Sequence, residues 1–254
     1  MMHDPAMIAA LARSLSDEEV VKLAHALLAL DKDEQRQKWQ NLFPDEGPLR
    51  RDLYPRHLDF FKAGATHRER LFIAANRVGK TLGIGFEFSC HLTGRYPDWW
   101  EGRRFNKPID AWAAGDTNET TRDIIQKVLF GQVTYDSGKK SFDGIGVIPY
   151  DCIGQVRFKP NTGDLLDYAD VRHESGRWSR VGLKSYQQGR EVFQGTAKDI
   201  IWTDEEPPMD VYGECLMRTA TTDGLIMVGF TPLRGMSEVV RGFLKPERSE
   251  ADYA

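Results

Sequence analysis

A short apolar run that leads into a glycine, a lysine and a threonine constrains the fold of this chain more than any other feature. The stretch reads RLFIAANRVGKTLG and spans residues 70–83. Its first half is short and nearly all apolar, as in a buried parallel strand. The residues after the glycine, KTLGIGFEFSCHLTG, have helical character despite two internal glycines. A strand, a glycine turn and a helix in this order predict an α/β domain with a phosphate-binding loop.

Further strands and helices alternate along the chain behind this loop. Buried strands are predicted at PIDAWAAG (108–115), KDIIWTDEE (198–206) and GLIMVGFTP (224–232), and a helix at TNETTRDIIQKVLFG (117–131). Between residues 154 and 186, three segments alternate apolar and polar residues, which favours antiparallel strands or hairpins. Strands that alternate with helices predict a mainly parallel sheet with helices on both faces.

The N-terminal part of the chain has a different character from the rest. Residues 6–42 have helical patterns, with Ser16 placed as an N-cap before an acidic first turn, and residues 44–55 form a turn-rich linker. These helices either form an appendage or pack onto the core of the main domain. We divide the chain into a helical extension (1–45), a main domain (46–246) and a charged tail (247–254).

Composition narrows the class of protein. The chain has 254 residues, 28% of them charged, and a net charge of −4, whereas a protein that mainly holds nucleic acid is usually basic. Any contact with nucleic acid is therefore expected to be local, transient or made through a partner. Three scattered cysteines without a metal-binding pattern suggest reduced core thiols, and neither a membrane span nor a signal peptide is visible. We expect a soluble cytoplasmic protein.

The residues of the loop point to a bound nucleoside triphosphate. The usual pattern is G-x-x-x-x-G-K-[ST], and Ala74 replaces its first glycine here. Gly79 lets the backbone approach the phosphates, Lys80 would reach the β- and γ-phosphates, and the Thr81 hydroxyl would bind Mg²⁺. The other expected binding positions are Ala75, Asn76, Arg77, Val78 and Leu82. The alternative is a chance GKT in a surface turn.

An acidic pair ends the strand predicted at residues 198–206. Asp204 follows a largely apolar run and can order the water shell of Mg²⁺, while Glu205 can polarise a water for attack on the γ-phosphate. The second acid favours hydrolysis of ATP over phosphate transfer to a small molecule. The alternative is an acidic turn that caps a helix before Pro207 and Pro208.

Four motifs in order resemble the large terminase subunit of tailed bacteriophages. They are YPRHLDFFKAGATHRERLFIAANRVGKT, GRYPDWWEGRRF, IIWTDEEPP and MVGFTPLRGMSEVV, and the resemblance extends from about Leu53 to about Phe243. It implies a P-loop NTPase fold of the RecA-like (ASCE) class that uses ATP and Mg²⁺. It also implies a motor that couples ATP hydrolysis to translocation of double-stranded DNA into a procapsid.

The resemblance implies partners and a place of action as well. These are the portal protein, a small terminase subunit and further copies of the chain in a ring on the portal, with a monomer expected in isolation. DNA packaging by this protein would take place in the host cytoplasm. Since only LKPERSEADYA follows Phe243, we expect no nuclease domain and no nuclease activity in this chain.

The resemblance also gives roles to individual residues. The GKT residues match Walker A, and Asp204 and Glu205 match Walker B and the catalytic acid. Arg77 corresponds to an arginine that senses or stabilises γ-phosphate charge in cis, and its alternative is a solvent-facing side chain. Thr231 in FTP matches a coupling motif that reports hydrolysis to the rest of the motor.

The chain departs from the family pattern at two sites. His57 stands where a glutamine usually reads adenine, so either His57 or backbone groups from Leu53 to Arg56 would read the base, unless His57 is a surface residue. Gln194 stands where related motors often carry a trans-acting arginine finger. Arg190 is the best substitute and Arg122 the next, although either can be an ordinary surface arginine.

Other functions stay open at this stage. The aromatic and arginine-rich GRYPDWWEGRRF can stack on nucleic acid or anchor a loop onto the core. A helicase-like translocase would use the same site, and a non-catalytic nucleotide-gated assembly module would bind ATP without hydrolysis. A small-molecule kinase is disfavoured because no arginine-rich lid is visible.

Overall fold

A seven-stranded sheet forms the centre of the computed structural model, which describes residues 15–75, 77–136, 138–231 and 237–244. The strands of the chain are β1 (Glu69–Ile73), β2 (Asp110–Gly115), β3 (Val133–Asp136), β4 (Lys139–Phe142), β5 (Ile153–Phe158), β6 (Leu166–Arg172), β7 (Trp178–Ser185), β8 (Ile200–Asp204) and β9 (Leu225–Phe230). The order in the sheet is β1-β9-β8-β2-β7-β6-β5, and β3 and β4 form a separate hairpin. Neighbours from β1 to β7 are parallel, whereas β6 is antiparallel to both of its neighbours.

Helices cover the sheet on both faces. They are α1 (Asp17–Arg36), α2 (Pro55–Ala63), α3 (Lys80–Thr93), α4 (the consecutive segments Asn118–Thr120, π-helical Thr121–Gln126 and Lys127–Phe130), α5 (Met209–Ala220) and α6 (Glu238–Leu244). On one face, α3 and α4 bury Phe88 and Leu129 against β2, β8 and β9. On the other face, α5 and α6 bury Tyr212 and Val240 against the same strands. The predicted α/β fold with a mainly parallel sheet is confirmed.

The region predicted as antiparallel strands is antiparallel only in part, because one of its strands also has a parallel neighbour. Three strands, β5, β6 and β7, are present and pair antiparallel with each other, as expected. The other edge of β7, however, pairs parallel with β2. The residues of β7 alternate between buried and exposed because its outer face is open to solvent, so its sequence resembles an antiparallel strand. The β3–β4 hairpin was not predicted.

The N-terminal helix is shorter than its pattern predicts. Ser16 caps α1 as expected, but the helix ends at Arg36, and turns follow instead of further helix. These turns let Leu42 and Phe43 enter the core, where Phe43 packs edge-on against Phe61 and Phe86. The predicted helical segment 6–14, Asn76, Pro232 and the tail 247–254 lie outside the described residues.

A buried ion network ties the helix after the loop to the strand before it. Arg70 of β1 donates to both carboxylate oxygens of Glu87 on α3, at 3.0 and 2.7 Å. The same guanidinium donates to the Phe60 carbonyl of α2 at 2.6 Å. His91, one turn further along α3, lies 3.1 Å from Glu87. These contacts fix the direction in which α3 leaves the loop.

The aromatic stretch and the cysteines that the sequence analysis singled out lie in the core of the fold. Trp100 and Phe105 of GRYPDWWEGRRF are buried in the core beside Phe61 and His91, so this stretch anchors a loop onto the core. The cysteines are buried and unpaired. In the part of the chain that the structure describes, no helix is long and apolar enough to cross a membrane.

Candidate nucleotide site

The loop between β1 and α3 has the backbone of an anion-binding turn. Gly79 lies at φ +83° in the left-handed region and precedes the first residue of α3, Lys80. Arg77 has φ +63°, which is uncommon for a residue with a side chain. The loop therefore presents the N-terminus of a 14-residue helix, where unpaired N–H groups and the helix dipole favour phosphate.

The Lys80 ammonium joins the loop to a neighbouring strand. It donates to the carbonyls of Ala74 and Ala75 at 2.8 and 2.7 Å, and to Thr231 Oγ1 at 2.9 Å. Thr231 directly follows β9, which lies beside β1 in the sheet. The loop lysine and the predicted coupling threonine are thus in direct contact.

Thr81 joins the same loop to the predicted acidic residue of β8. Its hydroxyl donates to Asp204 Oδ1 at 3.0 Å. Burial raises the pKa of Asp204 to about 7, and the nearby charge of Glu205 adds to this rise. The hydrogen bond from Thr81 and the positive charge of Lys80 oppose it. A hydroxyl and a carboxylate oxygen are ligands that suit Mg²⁺, which needs one or two protein oxygens beside the phosphates of its nucleotide. The pair therefore fits this ion.

Glu205 has an unusual backbone at the mouth of the site. Its φ is +72°, and its N–H donates to the Gly229 carbonyl of β9 at 2.9 Å. Its side chain is exposed and lines a cleft of about 380 Å³ together with residues of the loop, α4 and β9. The other lining residues are Arg77, Gly79, Lys80, Thr81, Leu82, Ile124, Val128, Asp204, Gly229 and Thr231.

An apolar pocket of about 260 Å³ adjoins this cleft on the far side of Arg77. Arg77, Gly79 and Leu82 line both spaces. The remaining walls come from the turns after α1, from the start of α2, and from the loop and the first turn of α3, namely Leu42, Phe43, Leu49, Tyr54, His57, Val78 and Gly83. An apolar, aromatic-walled space beside a phosphate loop can take a planar ring. Sequence reasoning missed Leu42, Phe43 and Leu49 because these residues lie outside the motifs, whereas His57 and the stretch from Leu53 to Arg56 were predicted to lie beside the base.

The comparisons with known proteins agree with the resemblance of the motifs. Residues 71–253 match the family described as "Terminase large subunit, T4likevirus-type, N-terminal". The large terminase subunit of Salmonella phage P22 is 34% identical over 255 residues, which cover 93% of this chain and 48% of that protein. The chain belongs to the large terminase subunit family. It spans about half the length of the P22 relative that it matches.

Two solved terminase structures also align with the chain at low sequence identity. A mutant of the large terminase ATPase domain of Thermus phage P74-26 aligns over 78% of this chain and 77% of that one, at 13% identity and a TM-score of 0.47. The large terminase of a second, thermophilic bacteriophage, in complex with ADP, aligns over 78% and 37%, at 13% identity and a TM-score of 0.40.

His57, which replaces the glutamine usual in terminases, is buried behind the loop. Its Nε2 lies 3.3 Å from the Gly79 carbonyl, and its ring packs edge-on against Phe72 at 4.9 Å. Burial lowers the pKa of His57 more than the Gly79 bond raises it, so a neutral ring donates from Nε2. Arg56 lies elsewhere, with 87% of its side chain exposed and Asp59 3.6 Å away. Their predicted part in reading adenine stays a prediction.

The two arginines considered as fingers of the terminase lie away from this chain's own cleft. Arg190 is half-exposed, with its guanidinium 3.3 Å from Glu214 of α5. Arg122 of α4 donates to Asp123 and to the Gly163 carbonyl. A finger acts on the neighbouring subunit, so these positions leave the role of either residue a prediction.

Proposed function

We propose that this chain is the ATP-hydrolysing domain of a DNA-packaging motor, the terminase large subunit. One observation carries the proposal: three separate motifs converge at one edge of the sheet. Lys80 lies 2.9 Å from Thr231, and Thr81 lies 3.0 Å from Asp204, with Glu205 next to it. Membership of the terminase family supports the same reading.

ATP would span both spaces of the site. Its adenine would enter the apolar pocket between Phe43, Tyr54 and the loop, where aromatic walls favour a planar ring. Its phosphates would lie on the N-terminus of α3, within reach of Lys80. Arg77 lines both spaces and would add positive charge beside the phosphates.

Hydrolysis needs a water aligned with the γ-phosphate. Glu205 would accept a proton from this water as its oxygen bonds to the γ-phosphorus and the bond to the bridging oxygen of ADP breaks. Lys80 and Arg77 would stabilise the charge on the phosphate oxygens in the transition state. Thr81 and Asp204 would hold Mg²⁺, which supplies further charge neutralisation to the β- and γ-phosphates.

The coupled work of the proposed motor is translocation of double-stranded viral DNA into a procapsid. Partners would be the portal protein, a small terminase subunit and further copies of the chain in a ring, and the place of action the host cytoplasm. Residues 46–246 would form the motor domain, with 247–254 as a tail and 1–45 as an extension whose last turns pack into that domain through Leu42 and Phe43. Contact with Lys80 makes Thr231 the residue through which loss of the γ-phosphate would reach β9 and α6.

Steady-state ATP turnover by the purified chain in Mg²⁺ tests the catalytic part of this proposal. We expect slow turnover in the wild type and a loss of about 100-fold or more in Glu205→Ala, because a general base contributes at least that much. Lys80→Ala should lose turnover and also bind ATP more weakly. Lys62→Ala is the control, because Lys62 lies on the exposed surface of α2, where it pairs with Glu101 and not with the described residues of the cleft.

The outcomes separate the candidate functions. Full activity in Glu205→Ala or Lys80→Ala contradicts the site assignment. ATP binding without hydrolysis in the wild type identifies a nucleotide-gated assembly module. Separation of DNA strands without a capsid identifies a helicase-like translocase.

A further inference from the structure

The backbone of Glu205 is held in a conformation that its side chain disfavours. A φ of +72° at a residue other than glycine is a strained conformation that persists only where the surroundings impose it. The N–H of Glu205 is fixed by the Gly229 carbonyl at 2.9 Å. This bond holds the peptide that precedes Glu205. Holding the peptide that follows requires a second contact, at the Glu205 carbonyl.

The second contact comes from a buried tyrosine. Tyr186 begins the 3₁₀ turn Tyr186–Gln188 directly after β7, and its side chain is buried. Its hydroxyl oxygen lies 2.9 Å from the Glu205 carbonyl, and 3.3 and 3.4 Å from the carbonyls of Asp204 and Ala114. A hydroxyl has one proton to donate, so the short contact to Glu205 takes it.

We propose that Tyr186 is a positioning residue that holds Glu205 in its left-handed conformation and thereby keeps the carboxylate at the cleft. The inference rests on the proposed function, because it assigns Glu205 the role of general base. Tyr186 itself has no contact with the cleft: it does not belong to the described residues that line it. Its effect passes through the peptide of Glu205.

Loss of the hydroxyl would free one end of this peptide. Glu205 could then relax toward negative φ, which rotates the direction of its side chain away from the cleft. The phenyl ring of a phenylalanine would keep the packing against Phe193, whose ring centroid lies 6.4 Å from that of Tyr186. The Lys80–Thr231 and Thr81–Asp204 contacts do not involve Tyr186, so nucleotide binding should survive.

Tyr186→Phe tests the inference, with Tyr212→Phe as the matched control. Tyr212 is also buried and its hydroxyl also donates to an acceptor within the fold, Glu69, which lies at the end of β1 opposite the phosphate loop. We expect Tyr186→Phe to lower kcat for ATP about tenfold, with KM within about twofold, because one hydrogen bond is worth about that factor. Tyr212→Phe should leave kcat unchanged, although both variants melt at lower temperature than the wild type.

A double variant separates positioning from a general loss of structure. In a Glu205→Gln chain, the residual turnover no longer uses a base at this position. Adding Tyr186→Phe to that chain should then change the rate less than about twofold, because the two residues act through one interaction. A full tenfold further loss in the double variant overturns the inference, and so does an equal effect of Tyr186→Phe and Tyr212→Phe on kcat.

Amide hydrogen exchange gives a readout that does not depend on turnover. The Glu205 and Glu206 amides should exchange faster in Tyr186→Phe than in the wild type, and at the wild-type rate in Tyr212→Phe. Unchanged exchange at these amides overturns the inference. If the wild type shows no turnover, the proposed function fails, and exchange alone decides whether Tyr186 holds this peptide.

Discussion

At the scale of single residues, the phosphate loop depends on what packs behind it. A Cβ on Gly83 would lie 2.5 Å from Cδ2 of His57, so the first turn of α3 approaches the histidine ring as closely as a backbone can. The ring in turn contacts the Gly79 carbonyl through Nε2. His57 therefore packs against the inner side of the loop, and this packing requires that position 83 carry no side chain.

Gly83→Ala should destabilise the protein and loosen the loop. The added methyl group must displace the buried His57 ring, and overpacking of this kind costs about 1–3 kcal/mol in free energy of unfolding. Gly213→Ala is the control, since this glycine also lies within a helix and has no atom within 4 Å of the new Cβ. Urea unfolding of both variants checks the prediction. Equal stability of Gly83→Ala and the wild type would contradict the close packing.

Residues within motifs could be predicted from the sequence, whereas residues brought in by tertiary structure could not. The GKT and DE residues sit at strand ends that apolar runs mark clearly, so their meeting followed from a parallel sheet. Phe43 reaches the apolar pocket only because the chain leaves α1 in turns, at a φ of +55°. Tyr186 follows an ordinary-looking strand, and nothing in its local pattern indicates contact with Glu205.

At the scale of elements, a buried ion pair links β1 to α3 across the base of the site. The Arg70 and Glu87 side chains are 3% and 0% exposed. The Phe60 carbonyl and His91 satisfy further hydrogen-bonding positions of the pair. Because burial of charge is costly, each partner depends on the other. The pair therefore sets the relative placement of the strand and helix that hold the phosphate loop.

Arg70→Met should be strongly destabilising. The substitution keeps much of the side chain's volume but leaves the Glu87 carboxylate without its cation, a change that costs about 3–5 kcal/mol in buried pairs. Arg180→Met provides the comparison, because Arg180 pairs with Asp170 but is 52% exposed, and such pairs contribute at most about 1 kcal/mol. Chemical denaturation of the two variants measures the difference. Similar losses in both would show that burial does not decide the effect.

Elements that are buried on both faces were easier to predict from the sequence than elements with an exposed face. Strands buried on both faces, such as β8 and β9, appear in the sequence as continuous apolar runs and were predicted with only small errors at their ends. The neighbours of β7 could not be predicted, because alternation reports an exposed face and not the direction of a partner strand. The π-helical segment of α4 also lacks a sequence signal, although the helix itself was predicted.

At the scale of the whole molecule, the sheet order brings distant motifs together. Lys80 and Thr231 are 151 positions apart in the chain, and Thr81 and Asp204 are 123 apart. They meet because β9 lies between β1 and β8, and all three parallel strands end at the same edge. Motion of β9 relative to β1 would therefore alter the contact between Thr231 and Lys80. This arrangement suits the proposed motor, in which hydrolysis at the site must change structure elsewhere in the molecule.

A ring of such domains would need groups from one subunit at the site of the next. Arg190 is a candidate, because it is half-exposed, lies in the 3₁₀ turn Arg190–Phe193 and has its charge directed to Glu214 in this chain. An arginine that acts on a neighbour's ATP stabilises the charge of the transition state in trans. Such a residue can be supplied by one subunit to another whose own copy is missing.

Mixing two inactive chains tests this prediction for Arg190. Glu205→Ala removes the base but keeps Arg190, and Arg190→Ala removes the arginine but keeps the base. Each variant assembled alone on the portal protein should therefore show little ATP turnover. In an equal mixture that assembles at random, about a quarter of the sites would combine an intact base with a neighbour's arginine, and turnover should rise to about that share of the wild-type rate. Arg122→Ala mixed in the same way is the comparison: if Arg122 is not a finger, this variant is active alone, and its mixture with Glu205→Ala should show about half of the wild-type rate. Absence of recovery, or full activity of Arg190→Ala assembled alone, would show that Arg190 does not act between subunits.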